Sequence, residues 1–387
     1  MTTTFPDGFL WGTATAAHQI EGGNWNSDWW AFEHAAGTPC AEPSGDACDS
    51  WHRYADDIAI VRDLGLGAYR FSIEWSRIEP EEGEFSVAAL DHYRRVCAVC
   101  HEAGVRPVVT FHHFTSPRWV AALGGWADPG IVGRFARYCE RAVRHLGDMI
   151  DIACTINEPN IVSLMGYVVG VFPPGRRDLG EYATVNEHLK AAHRAAADAL
   201  RSGPGTFPVG QTIAMGDWWA PEGSADVLAR TREMHEGQFL VASQNDDFVG
   251  VQAYSRTRLG ADGMPLGPED GVPVVASMGY EYWPRAVEVA IRYAAEVAGT
   301  PIYVTENGIG TDDDDQRVAY VTEALAGVER CIADAIDVRG YFYWSLLDNF
   351  EWALGYAPRF GLVEVDRSTF VRTPKPSARW FSRTVRR

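Results

Sequence analysis

Two glutamates stand where this chain could carry acid and nucleophile chemistry. Glu158 lies in the string T-I-N-E-P at 155–159 and Glu306 in T-E-N-G at 305–308. Each follows a short apolar run that reads as a buried β-strand, the fourth and the seventh of the chain. In a barrel of parallel strands the C-terminal ends open on one face, so side chains distant in sequence meet in one cleft. Two carboxyl groups across a sugar-sized cleft are the minimum equipment for cleaving a glycosidic bond.

Bringing those carboxyls together requires a particular order of elements. Strands are expected at 9–15, 67–73, 106–111, 150–157, 208–215, 248–254, 301–305 and 339–346. Amphipathic helices are expected near 53–64, 86–103, 129–147, 184–202, 224–243, 281–298 and 314–335, with a last one from Pro376. The helix at 53–64 stops at Gly65 and Gly67, and 129–147 opens on an Asp128 cap with Pro129 at its first position. Such alternation means parallel strands joined by right-handed crossovers, and eight strands close a barrel that side chains can fill. The expected fold is α/β, a (β/α)8 TIM barrel with its site at the C-terminal strand ends, forming one domain over 1–387. Composition does not break along the chain, no repeat is present, and 37–46, 170–180 and 260–274 read as rim loops. A doubly wound open sheet is the rival, but it would normally carry G-x-G-x-x-G after its first strand, which is absent.

Gross composition narrows the partners. A net charge of −18 argues against nucleic acid and anionic membrane surfaces, which need basic patches. Asp312 to Asp315 reads as a solvated loop at a helix start, where acids are favoured, rather than a cation site. Seven scattered cysteines fit a reducing compartment, and Cys97 and Cys100 lie within a helix as packing residues, not as a redox centre. The 14 tryptophans are mostly core material, yet indole faces also stack on sugar rings. Met1-Thr-Thr-Thr-Phe-Pro leads almost directly into the first strand without a charged leader and apolar run, so a cytoplasmic location is expected.

Polar and aromatic residues collect after the expected strands. They are His18, Gln19 and Glu21; Arg70, Glu74 and Trp75; His112 and His113; Asn157 and Glu158; Tyr254; Glu306 and Asn307; and Trp344, Asp348, Glu351 and Trp352. That concentration at one mouth reads as a ligand site.

With those residues in view, the chain resembles glycoside hydrolase family 1, the β-glucosidase family. The strings are F-L-W-G-T-A-T-A-A-H-Q-I-E-G, Y-R-F-S-I-E-W-S-R-I, T-I-N-E-P, Y-V-T-E-N-G and W-S-L-L-D-N-F-E-W, in the family's order from Phe9 to 359–366. The resemblance implies that Glu158 is the general acid/base and Glu306 the nucleophile of a retaining exo-β-glycosidase, with carboxyls about 5–5.5 Å apart. It implies that Asn157 meets the sugar 2-hydroxyl, and that Gln19, His113, Glu351 and Trp352 hold the other hydroxyls over a Trp344 platform. Arg70 and Tyr254 are suited to keep Glu306 ionised, while proximity to that charge raises Glu158. His112 reads as structural. No cofactor is implied, and no metal, since the H-x-H of barrel metal hydrolases is missing. An ionised Glu351 would repel a phosphate dianion, so the implied partners are non-phosphorylated β-D-glucosides, with fucosides and galactosides as side substrates.

Two departures stand out. Strand six reads G-V-Q-A-Y where many relatives have G-x-N-Y-Y, so Gln252 and Ala253 leave the fine positioning around the nucleophile open. The stretch between the two glutamates is also short for the family, which implies a shallower, more open acceptor side. Transglycosylation through the same intermediate and a non-catalytic sugar-binding barrel are the alternative functions. Oligomeric state is not encoded in these patterns.

Overall fold

The computed structural model describes residues 5–386. Met1 to Thr4, read above as the lead-in to the first strand, lie outside the described residues, as does Arg387. The eight expected strands are all present: β1 (Leu10–Ala14), β2 (Ala68–Ser72), β3 (Arg106–His112), β4 (Ile152–Asn157), β5 (Val209–Trp219), β6 (Phe248–Leu259), β7 (Ile302–Asn307) and β8 (Val338–Trp344). Each pairs in parallel with the next, and β8 returns to β1 through Leu10↔Gly340 to Ala14↔Trp344, closing the cylinder. The fold is therefore a (β/α)8 barrel.

The strands are buried on both faces, which is why they read as apolar runs without alternation. Inward side chains include Leu10, Ala68, Val108, Ile152, Phe248 and Phe342, which pack together as an inner core. Eight strands leave room inside for little more than these side chains. At Gly340 an added Cβ would stand 2.7 Å from the Leu10 carbonyl oxygen of the neighbouring strand, so only glycine fits there.

Helices cover the outside: α1 (Ser50–Asp63), α2 (Val87–Glu102), α3 (Ile131–Leu146), α4 (Leu179–Arg201), α5 (225–242, with a π-helical turn at Glu233–Gly237), α6 (Ala286–Ala298), α7 (Asp314–Ala333) and α8 (Pro376–Val385). In α3, Ile131, Phe135, Tyr138, Cys139, Ala142, Val143 and Leu146 are buried, the three-and-four spacing of one helix face. Cys97 and Cys100 likewise sit on the buried face of α2.

Several boundaries differ from expectation. α3 begins at Ile131, because the Asp128 carboxylate accepts from Gly130 N and closes a turn before the helix rather than capping at Pro129. α4 starts five residues early, since Asp178 caps it by accepting from Gly180 N and Glu181 N. The start expected for α6 is instead a rim strand, Tyr280–Glu281, paired with Val274–Val275. At the acidic run, Asp313 caps α7 by accepting from the amides of Asp315 and Gln316. Among the described residues no helix is long and apolar enough to cross a membrane.

Gly340→Ala is expected to lower the unfolding free energy by about 1–3 kcal/mol through overpacking against β1. Urea denaturation followed by circular dichroism measures this, and an unchanged midpoint would contradict the packing described.

Candidate active site

Local chain geometry delivers the two glutamates to the barrel mouth. Glu158 is the residue between β4 and a short helix, Pro159–Leu164, with Pro159 at that helix's first position. Its backbone is left-handed (φ 43°), a conformation that costs a non-glycine residue on the order of 1 kcal/mol. Glu158 N is held by Thr212 O of β5 at 2.8 Å, so the neighbouring strand fixes the bend. Glu306 lies near the end of β7, where the pairing with β6 shifts register between Val304 and Glu306 and sets Glu306 opposite Gln252.

Both carboxyls line one cavity of about 670 Å³, counting the space open at its mouth. Its walls also carry His113, Tyr254, Trp344, Glu351 and Trp352, all expected from the sequence, together with Phe114, Phe172, Met278 and Tyr280, which were not.

Beneath the cavity lies Arg70, fully buried inside the barrel. Its Nη1 donates to Glu306 Oε1 (2.6 Å), its Nη2 to Asn157 Oδ1 (2.5 Å) and Thr212 Oγ1 (3.4 Å), and its Nε to Thr110 Oγ1 (3.1 Å). Glu306 accepts two further bonds, from Tyr254 Oη to Oε2 (2.6 Å) and from Gln252 Nε2 to Oε1 (2.8 Å). Gln252 Nε2 also reaches Asn157 Oδ1 (2.9 Å), so the residue that departs from the family pattern joins the strand before Glu158 to Glu306. The mismatch at strand six was its only signal in the sequence.

Glu158 is treated differently. Among the described residues no protein group donates to its carboxyl. Burial first, and then the negative charges of Glu306 and Glu351, push it well above the ordinary carboxyl range, with only Arg70 pulling down. Burial raises Glu306 too, contrary to a simple lowering, but Arg70, Tyr254 and Gln252 all oppose it. One proton shared between the pair therefore belongs on Glu158. Glu351 is raised to about 8, by burial and by Glu306, so it is not the fully ionised group the sequence suggested.

Gln19 and Asn157 stand behind the cavity wall. Gln19 Nε2 donates to Phe350 O (2.7 Å) and Asn349 Oδ1 (3.2 Å), and Asn157 Nδ2 lies 3.2 Å from His113 Nε2. Among the described residues Gln19 Oε1 and His113 Nδ1 are buried without a protein partner. Other strand-end residues serve the frame. Glu21 accepts from Arg77 and Tyr93, Glu74 from Thr115, and Asp348 pairs with Lys375. Trp75 Nε1 donates to Glu79, and Asn307 Nδ2 to Ala253 O. His112 is buried against Trp126 and contacts Ser116, a structural position as expected.

The model for glycosyl hydrolase family 1 matches residues 1–244 and 228–387, which together span the chain. The chain belongs to this family. A family 1 relative, beta-glucosidase A of Thermotoga maritima, is 33% identical over 438 aligned positions, covering 99% of this chain and 98% of its own length. That alignment is longer than the 387 residues here, so the relative carries segments this chain lacks. Thermostable beta-glucosidase B of Thermobispora bispora is 34% identical over 99% of this chain and 91% of its own. Among solved structures, beta-glycosidase BGL167 superposes with a TM-score of 0.93 at 48% identity, covering 99% of this chain and 97% of that one. The chain is thus a family 1 glycoside hydrolase of the β-glucosidase kind.

Arg70→Met is expected to destabilise the fold by about 3–5 kcal/mol, because it strands the Glu306 carboxyl in a dry interior. Urea denaturation tests this; a loss below about 1 kcal/mol would mean the guanidinium is not what holds Glu306 and Asn157.

Proposed function

We propose that this family 1 enzyme is a retaining exo-β-glycosidase that removes terminal non-reducing β-D-glucosyl residues by double displacement. One observation carries the reading: two carboxyls share a cavity, and one receives three donors while the other receives none. Glu306 is the nucleophile. Its oxygens are oriented and charge-stabilised by Arg70, Tyr254 and Gln252, leaving a lone pair for the anomeric carbon. Glu158 is the acid, its proton held by burial and the neighbouring charge, and it passes that proton to the departing oxygen. Once Glu306 is bonded to sugar its charge is gone, the Glu158 pKa falls, and Glu158 takes a proton from the incoming water. An alcohol in place of that water gives transglycosylation by the same route.

Recognition of the sugar follows from the walls. Trp344 supplies a flat apolar face, Trp352 and Glu351 supply polar edges, and the unpartnered Gln19 Oε1 and His113 Nδ1 are atoms that sugar hydroxyls can satisfy. Asn157 serves the 2-hydroxyl and also fixes His113. Among the described residues neither lysine nor arginine lines the cavity, so none of them there meets a phosphate dianion, and this supports non-phosphorylated substrates more directly than a charge on Glu351. β-D-Fucosides and β-D-galactosides are proposed side substrates. Free thiols at all seven cysteines support a reducing, cytoplasmic setting.

Glu158→Ala should cost roughly 10²–10⁴-fold in kcat on glucosides with poor leaving groups and far less on activated aryl glucosides. Glu306→Ala should abolish turnover of both, with azide restoring some activity and giving the inverted product. Equal losses on both substrate kinds in Glu158→Ala, or an inverted product from the unaltered enzyme by NMR, would sink the assignment. The pH profile gives a second test. Activity should fall as pH rises through the raised Glu158 pKa, because only the protonated acid works. Glu351 becomes negative only as pH rises toward and past about 8, where its charge raises Glu158, so Glu351→Gln should move the alkaline limb of kcat/KM to lower pH. An unmoved limb, or one displaced upward, would contradict the electrostatics.

A further inference from the structure

Trp352 has an unusual setting for a wall residue. Its backbone is left-handed (φ 50°), and among the described residues its indole N–H has no protein acceptor. Ring packing alone therefore sets the plane of the indole. Trp29 lies at 4.7 Å and 48°, and Phe114 at 5.0 Å and 66°, both tilted against it. Two rings lie nearly parallel to it: His113 at 5.9 Å and 16°, and His18 at 5.7 Å and 6°. His113 in turn is nearly parallel to Trp344, at 5.8 Å and 18°. The result is a column of four rings in which His113, Trp352 and Trp344 line the cavity and His18 does not.

His18 is the member of that column anchored by polar bonds at both ring nitrogens. Nε2 lies 3.3 Å from Glu33 Oε2, with both side chains fully buried, and Ser44 Oγ donates to Glu33 Oε1 at 2.6 Å. Nδ1 lies 3.1 Å from Asn24 Nδ2. Asn24 Oδ1 in turn faces Ser76 Oγ at 2.7 Å, and that hydroxyl stands 3.2 Å from Glu74 Oε1, so the amide is itself held in place. Both ring nitrogens are thus engaged, Nδ1 by Asn24 and Nε2 by Glu33. The ring can neither flip nor rotate without breaking both bonds.

We propose that His18, locked by Glu33 and Asn24, is a positioning residue that sets the plane of Trp352 and so aims its indole N–H at the bound sugar. This rests on reading Trp352 as a sugar contact. A ring held parallel from behind resists rotation of the indole, and of the two imidazoles parallel to it His18 is the one bonded at both nitrogens. Small misplacements of such contacts cost catalysis heavily, on the order of 10²-fold for about 1 Å.

The test compares His18→Ala, Glu33→Gln, Trp352→Ala and the double variant His18→Ala/Trp352→Ala, each assayed for kcat and KM on an aryl β-glucoside and for thermal midpoint. His18→Ala should lose roughly 10-fold or more in kcat/KM, Glu33→Gln should lose less in the same sense, and the double variant should be no worse than Trp352→Ala alone. Glu33→Gln keeps the side-chain volume and a hydrogen-bonding partner for Nε2, so it reports on the coupling even if His18→Ala does not fold. In that case the comparison is Glu33→Gln with and without Trp352→Ala. Additive losses, or a lower midpoint with unchanged kcat/KM, would overturn the positioning role. If Trp352→Ala itself leaves kcat/KM unchanged, the sugar-contact reading fails instead, and the two failures are told apart.

Discussion

A guanidinium with no access to water sits at the centre of this barrel, and the site is organised around satisfying it. Removing a cation from water costs several kcal/mol, which is recovered only if its donors find well-placed acceptors. Arg70 rises from β2 and meets Thr110 of β3, Asn157 of β4, Thr212 of β5 and Glu306 of β7. Five strands are thereby tied to one side chain. The residue types at those positions follow: hydroxyls and an amide where a neutral acceptor suffices, and a carboxylate where the charge must be met. Asn157 and Glu306, both held by this cation, come from the two strands that carry the carboxyls proposed to react.

The same arrangement produces the asymmetry that the proposed double displacement requires. Arg70 is spent on Glu306 and Asn157, so Glu158, the next residue along, turns away on a left-handed backbone and points its carboxyl into the cavity without a donor. Burial then works unopposed except by a more distant positive charge. Burial raises two chemically identical side chains, and the donors that oppose it reach only Glu306, so the proton is held more strongly by Glu158. The bend at Glu158 is sustained because β5 grips its amide and Pro159 starts the next helix.

Much of this was legible beforehand, for identifiable reasons. Strands buried on both faces are continuous apolar runs, so β4 and β7 announced themselves, and with them Glu158 and Glu306. Residues that line the cavity from strand ends, such as His113, Tyr254, Trp344 and Trp352, were likewise placed by position alone. Gln252 was visible only as a mismatch. Its partnership with Glu306 depends on the register shift in β7 after Val304, a feature of pairing that no linear pattern encodes. The protonation of Glu351 was missed for a similar reason, since burial beside a second carboxyl is a property of the assembled site. The start of α6 was misplaced because 280–281 is claimed by a rim hairpin, a tertiary pairing that overrides local helical periodicity.

Six of the cysteines are buried and Cys40 alone is partly open to solvent. For Cys97, burial drives the thiol up to about 12, leaving it protonated and inert to electrophiles. Cys40 lies beside a segment whose Ala41 amide is bonded to the Ala353 carbonyl, one residue beyond Trp352. Burial raises the Cys40 thiol as well, but it is the one sulfur partly open to solvent and so the one a maleimide dye can reach, next to the loop that bears Glu351 and Trp352. Fluorescence from that label would report on movement of the loop without any engineered attachment point.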